Sequence, residues 1–153
     1  MILPVLMLVI LGIVYFGRYE DYSNQETALA AQAARNAAVD YNPGGSSQTL
    51  QAYVKAQAPS ELQNTGGSVS TAVAVYVYYP TGLSCGTTGS TNTSIGGCVR
   101  ACVTANVNLP FLNISGIGMT QTATARIEQL RTSPSGNSGW TADASPPSAC
   151  PQS

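Results

Sequence analysis

The chain has 153 residues, a net charge of −1, 8% charged residues and no histidine. That length leaves room for one domain, and the missing histidine removes the Ser-His-Asp and Cys-His arrangements of nucleophilic catalysis. The basic residues Arg18, Arg35, Lys55, Arg100, Arg126 and Arg131 are scattered and form no stripe for phosphates, so nucleic acid is not an expected partner.

The first sixteen residues, MILPVLMLVILGIVYF, carry no charge. As a helix they would reach about 24 Å, a little short of the ~30 Å of a bilayer core. A cleaved secretory signal would start with positive residues and end in a nearby small-x-small site. Here no Lys or Arg precedes Ile2, and Ala28-Leu29-Ala30 lies beyond Arg18, Glu20, Asp21 and Glu26. A soluble core helix would show one polar face, which this run lacks. A retained membrane anchor is therefore expected. Good helix formers continue from Arg18 to Tyr41, with Tyr15, Tyr19, Tyr22, Leu29, Ala33 and Ala37 as a packing stripe. One helix is expected from about Pro4 to Tyr41, with Glu20, Asp21 and Glu26 on its solvated half and Asn42-Pro43-Gly44-Gly45 ending it.

After the helix, Ser46 or Ser47 can cap a short helix over Gln48–Ala58, stopped by Pro59. Glu61–Ser68 reads as a polar turn. Val69–Tyr79 alternates β-branched and aromatic residues and is the clearest strand. A Gly/Ser/Thr/Asn loop over 80–97 holds Cys85; a second strand spans Cys98–Asn108 and a third Ile117–Arg131. Residues 132–153 form a Pro/Ser/Gly tail able to bury little beyond Trp140, with Cys150 as its tether. The expected fold is α+β, a long N-terminal helix packed on a small antiparallel sheet and linked by disulfides. Three parts follow: anchor and stem over 1–43, head over 44–131, tail over 132–153.

Cys85, Cys98, Cys102 and Cys150 form an even set, as in an oxidising compartment. Zinc is disfavoured by the absence of histidine and of a CxxC pair. Four cysteines allow three connectivities; Cys85 with Cys98 and Cys102 with Cys150 is the favoured one. Lys55 lacks an SxxK context and no glycine motif cradles phosphate, so neither catalysis nor a cofactor is expected. Asn92 and Asn113 begin glycosylation-type triplets of a pattern common by chance.

Leu3-Pro4-Val5-Leu6, then Gly12-Ile13-Val14-Tyr15-Phe16-Gly17-Arg18, and the Ala-rich continuation through Ala37 resemble the TadE-like minor pilins, or pseudopilins, of the tight-adherence pilus system. Thr124-Ala125-Arg126-Ile127-Glu128 is similar to the closing strand of such proteins. In that family a basic leader and a prepilin-peptidase site with a nearby glutamate usually precede the apolar helix, whereas this sequence opens at Met1 directly before Ile-Leu-Pro. An acidic residue often stands before Phe-Gly in the family; Tyr15 stands there here. The resemblance implies a non-enzymatic envelope protein that takes part in pilus assembly and surface adhesion. Its expected partners are the membrane, other pilin-like subunits reached through the N-terminal helix, and the assembly platform. It would sit in the cytoplasmic membrane with the head outside, or within a pilus. The positive-inside tendency of Arg18 opposes that orientation, but Glu20 and Asp21 adjoin it and the composition suits the exterior. An expectation of another class is a secreted or tethered binding module gripping a partner or glycan with exposed Tyr76, Tyr78, Tyr79 and loop 81–97.

Overall fold

The computed structural model describes residues 3–64, 69–80, 95–109, 114–129, 140–143 and 145–151. These form α1 (Leu3–Ala38), α2 (Leu50–Ala56), α3 (Ser60–Gln63), β1 (Val69–Tyr78), β2 (Cys98–Leu109) and β3 (Ile114–Arg126). The architecture is the expected one, a long N-terminal helix against an antiparallel three-stranded sheet of order β1-β2-β3. Several boundaries differ, each for a local reason.

α1 is a single helix of 36 residues, about 54 Å at ~1.5 Å per residue. It stops at Ala38, short of Tyr41. Asp40 turns left-handed at φ 50°, its N–H donates to Ala37 C=O (3.1 Å), and Tyr41 N–H donates to Asn36 C=O (2.9 Å). This is a Schellman closure with Asp where Gly is commoner. Asn42, buried at the turn that follows, donates through Nδ2 to Gly45 C=O and Gln48 C=O and accepts from Gly44 N–H. Gly44 leaves room there for Gln48, whose Cγ a Cβ would approach to 2.5 Å and so displace. The cap of α2 is Thr49, whose hydroxyl accepts from Ala52 N–H at 3.2 Å; Ser47 is occupied instead with Gly44 C=O. The expected polar turn after Pro59 begins with α3, a single helical turn that sinks Leu62 completely.

The sheet places its apolar residues in register. Val75 lies opposite Val103, and Val103 opposite Gln121, so Val73, Val75 and Val77 of β1, Val99 through Val107 at alternate positions of β2, and Met119 of β3 share one face. That face and the second half of α1 form the main core, closed at one side by Leu50 and Val54 of α2 and by Leu62. Full burial of each such Val or Leu is worth about 1.5–3 kcal/mol. β3 begins earlier than Ile117 and ends earlier than Arg131. At Gly116, φ +72°, the register shifts between Val107 and Leu109. Beyond Arg126 the chain leaves the sheet, and Glu128 and Gln129 N–H donate to Ala38 C=O, the last carbonyl of α1.

The tail holds the head at more points than Cys150, correcting the expectation of a single tether. Trp140 Nε1 donates to Ala37 C=O at 3.0 Å and packs on Tyr79. Asp143 pairs with the free edge of β1, accepting from Val77 N–H (2.7 Å) and donating its own N–H to Val77 C=O (2.8 Å). The chain then crosses to the far face of the sheet, where Cys150 is disulfide-bonded to Cys102. There Tyr78 OH and Arg100 Nη1 both donate to Pro151 C=O at 2.7 Å. Such a tail is short of apolar residues but satisfies the backbone and the buried polar groups it covers.

Candidate membrane anchor

α1 divides by exposure into two halves. From Leu3 to Gly17 it is mostly exposed: Leu3 is 77% exposed, Ile13 67% and Phe16 66%. From Tyr22 to Ala38 it is a core element, with Tyr22, Leu29, Ala30, Ala33, Ala34, Ala37 and Ala38 buried. The sequence explains the division. The first half is apolar on every side and offers no polar face to water, whereas the second has a stripe of alanines, small enough to bring the helix axis close to the sheet. Tyr15 and Tyr19, expected in the packing stripe, are only half-buried at the junction.

The apolar half is long and hydrophobic enough, with its continuation, to cross a membrane: an 18-residue window reaches a mean hydropathy of 1.6, and none of it is buried. A helix apolar all round needs either lipid or other protein about it. Of the residues that carry the family resemblance, Leu3, Pro4, Gly12, Phe16 and Gly17 lie on this exposed half and Arg18 directly follows it; among the described residues they are not gathered into a site with any part of the head. A Cβ at Gly12 or Gly17 would meet nothing within 4 Å among the described residues, so their packing gives no reason for either glycine.

Residues 1–35 match the family model described as TadE-like protein. Over those residues the N-terminal helix is similar to that family. The match covers the whole apolar half and most of the docked half of α1, and no part of the sheet. No curated protein and no solved structure matches the chain.

The cysteines are bonded and not metal ligands where they can be described: Cys102 pairs with Cys150, and Cys98 is also disulfide-bonded. Cys85 lies outside the described residues, as do loop 81–94, Asn92, Asn113 and Arg131. The tyrosines expected to form an exposed gripping surface do not form one. Tyr78 is buried with its hydroxyl on Pro151, Tyr76 packs beside the disulfide, and Tyr79 is half-covered by Trp140. Burial raises the Tyr78 phenol above its ordinary pKa, and the Arg100 charge draws it back in part; burial and then Asp40 raise that of Tyr79.

One residue contradicts the sequence reading outright. Glu26, expected on the solvated half of α1, is fully buried, and among the described residues neither carboxyl oxygen has a hydrogen-bond partner. Burial pushes its pKa from 4.5 to about 8, so the acid is largely protonated at neutral pH. The signal was present in the chain. Tyr22, Glu26 and Ala30 are spaced one helical turn apart, and following that spacing, without giving the carboxylate its usual place in water, puts Glu26 in the core.

Proposed function

We propose that this is a non-enzymatic, pilin-like envelope protein associated with a tight-adherence pilus. In this reading the apolar half of α1 rests in the cytoplasmic membrane, with the disulfide-bonded head outside. The same surface then packs beside the helices of other subunits when the protein enters a filament or its assembly platform. One observation carries the proposal: a continuous helix whose first half is uncovered and apolar on all sides and whose second half is built into a small sheet domain. The TadE-like match over residues 1–35 supports the pilus association. Outside lipid, an apolar helix must cover itself with other helices, and a Gly such as Gly12 allows their backbones to approach. The three disulfide-bonded cysteines among the described residues, Cys98, Cys102 and Cys150, fit an oxidising compartment.

The test is deletion and recovery. Cells lacking the chain are expected to lose surface filaments, and the intact chain is expected in sheared filaments or in the membrane fraction of piliated cells. Normal piliation in the deletion strain, with the chain absent from both fractions, would overturn the proposal.

A further inference from the structure

Glu26 sits within the docked half of α1, one turn after Tyr22 and one turn before Ala30, among the buried residues of that helix. The strand faces turned toward α1 carry Val, Ala, Met and Gln121, none of them ionisable, and the Gln121 amide is engaged with Ser23 Oγ at 3.0 Å. On α1 itself, Gln25 Nε2 donates to Asp21 at 2.8 Å, and Tyr22 OH donates to Glu61 of α3 at 2.7 Å. α2 turns Tyr53 toward the core and leaves Lys55 exposed. Arg100 lies on the opposite face of the sheet, with Pro151 and Thr124. Among the described residues, then, no cation and no hydrogen-bond donor meets the Glu26 carboxyl.

A carboxylate enclosed without a donor is strongly disfavoured, while the neutral acid is tolerated. We propose that the contact between α1 and the sheet is a proton-operated latch, closed while Glu26 is protonated and loosened once Glu26 is ionised. Opening carries the side chain into water, where the carboxylate is stable, and uncovers the alanine face from Ala30 to Ala38. The device belongs to the chain itself and holds whether or not the pilus reading is right.

The direction follows from proton binding. The docked state keeps the proton up to about pH 8, whereas a solvated Glu loses it near 4.5. Docking is therefore at full strength below pH 4.5, weakens as pH rises through that window, and levels off above it. Inside the window the ratio of docked to released chain falls by up to about tenfold per pH unit.

The protein carries its own reporter. Trp140, the single tryptophan, is held on α1 by its bond to Ala37 C=O, so release exposes the indole and shifts its emission to the red. The experiment titrates the full chain in non-ionic detergent with urea at a series of pH values from 4.5 to 9, following Trp140 emission. The wild-type midpoint is expected to fall from pH 5 to 8 and then level. Glu26→Gln is expected to hold a constant midpoint over that range, and Glu61→Gln to keep the wild-type profile. Should Glu26→Gln fail to dock at pH 5, Glu26→Leu replaces it with the same expectation. A flat wild-type profile, a Glu26 variant that keeps the wild-type slope, or a slope removed by Glu61→Gln would each overturn the latch.

Discussion

Opening the Cys102–Cys150 bond measures how much the tail contributes to the head. These cysteines are separated by 48 residues, and a cross-link closing a loop of that size removes about 4 kcal/mol of chain entropy from the unfolded state. Reduction is an unsuitable perturbation because Cys98 is disulfide-bonded as well; the pair is instead replaced as Cys102→Ala with Cys150→Ala. The tail keeps its hydrogen bonds from Tyr78 and Arg100 to Pro151 and the pairing of Asp143 with Val77. Each contributes about 0.5–3 kcal/mol, so the native arrangement is expected to persist while the unfolded chain gains freedom. Urea unfolding of the full chain in detergent, followed by circular dichroism of the sheet, should give an unfolding free energy lower by about 4 kcal/mol. A loss below about 1 kcal/mol would contradict this reasoning and mean that non-covalent contacts already order the tail in the unfolded ensemble.

Three further perturbations address other joints. Ala33 is completely buried between α1 and the sheet, so Ala33→Leu should destabilise by about 1–3 kcal/mol through overpacking, read from the thermal midpoint; an unchanged midpoint would mean that the helix is not held this closely. Asp143→Ala removes the acceptor of Val77 N–H and a partner of Gln51, which should cost about 1–3 kcal/mol and speed hydrogen exchange at Val77. Unchanged exchange there would show that the β1 edge is protected by something else. Leu8→Arg places a charge in the uncovered apolar half, at about 2.5–3.5 kcal/mol in a membrane-centred position. The fraction of chain inserted should fall, and undiminished insertion would mean that this half does not cross the bilayer.

Much of the architecture could be read from the chain because the signals were periodic. Val69–Tyr78 and Cys98–Leu109 alternate regularly enough that both could be read as strands, although the alternation did not say which face meets α1. The apolar opening and its alanine continuation likewise specified one long helix. Boundaries were less legible where a polar residue did unusual work: Asp40 in a left-handed cap, Thr49 chosen over Ser46 and Ser47, and Leu62 drawing a supposed turn into a helix. The tail was misread because its contribution comes through Asp143 and the Pro151 carbonyl, which composition does not record. Glu26 was misplaced by the ordinary preference of carboxylates for water, a preference overridden by the helical spacing around it.

The central claim is that the N-terminal half of α1 lies in the membrane while the disulfide-bonded head stands outside the cytoplasm. The most direct measurement is protease accessibility of the head in intact spheroplasts, combined with alkaline carbonate extraction of their membranes. The account predicts a chain that resists extraction and loses its head to protease added from outside. A chain released by carbonate, or a head protected until the cells are lysed, would contradict it.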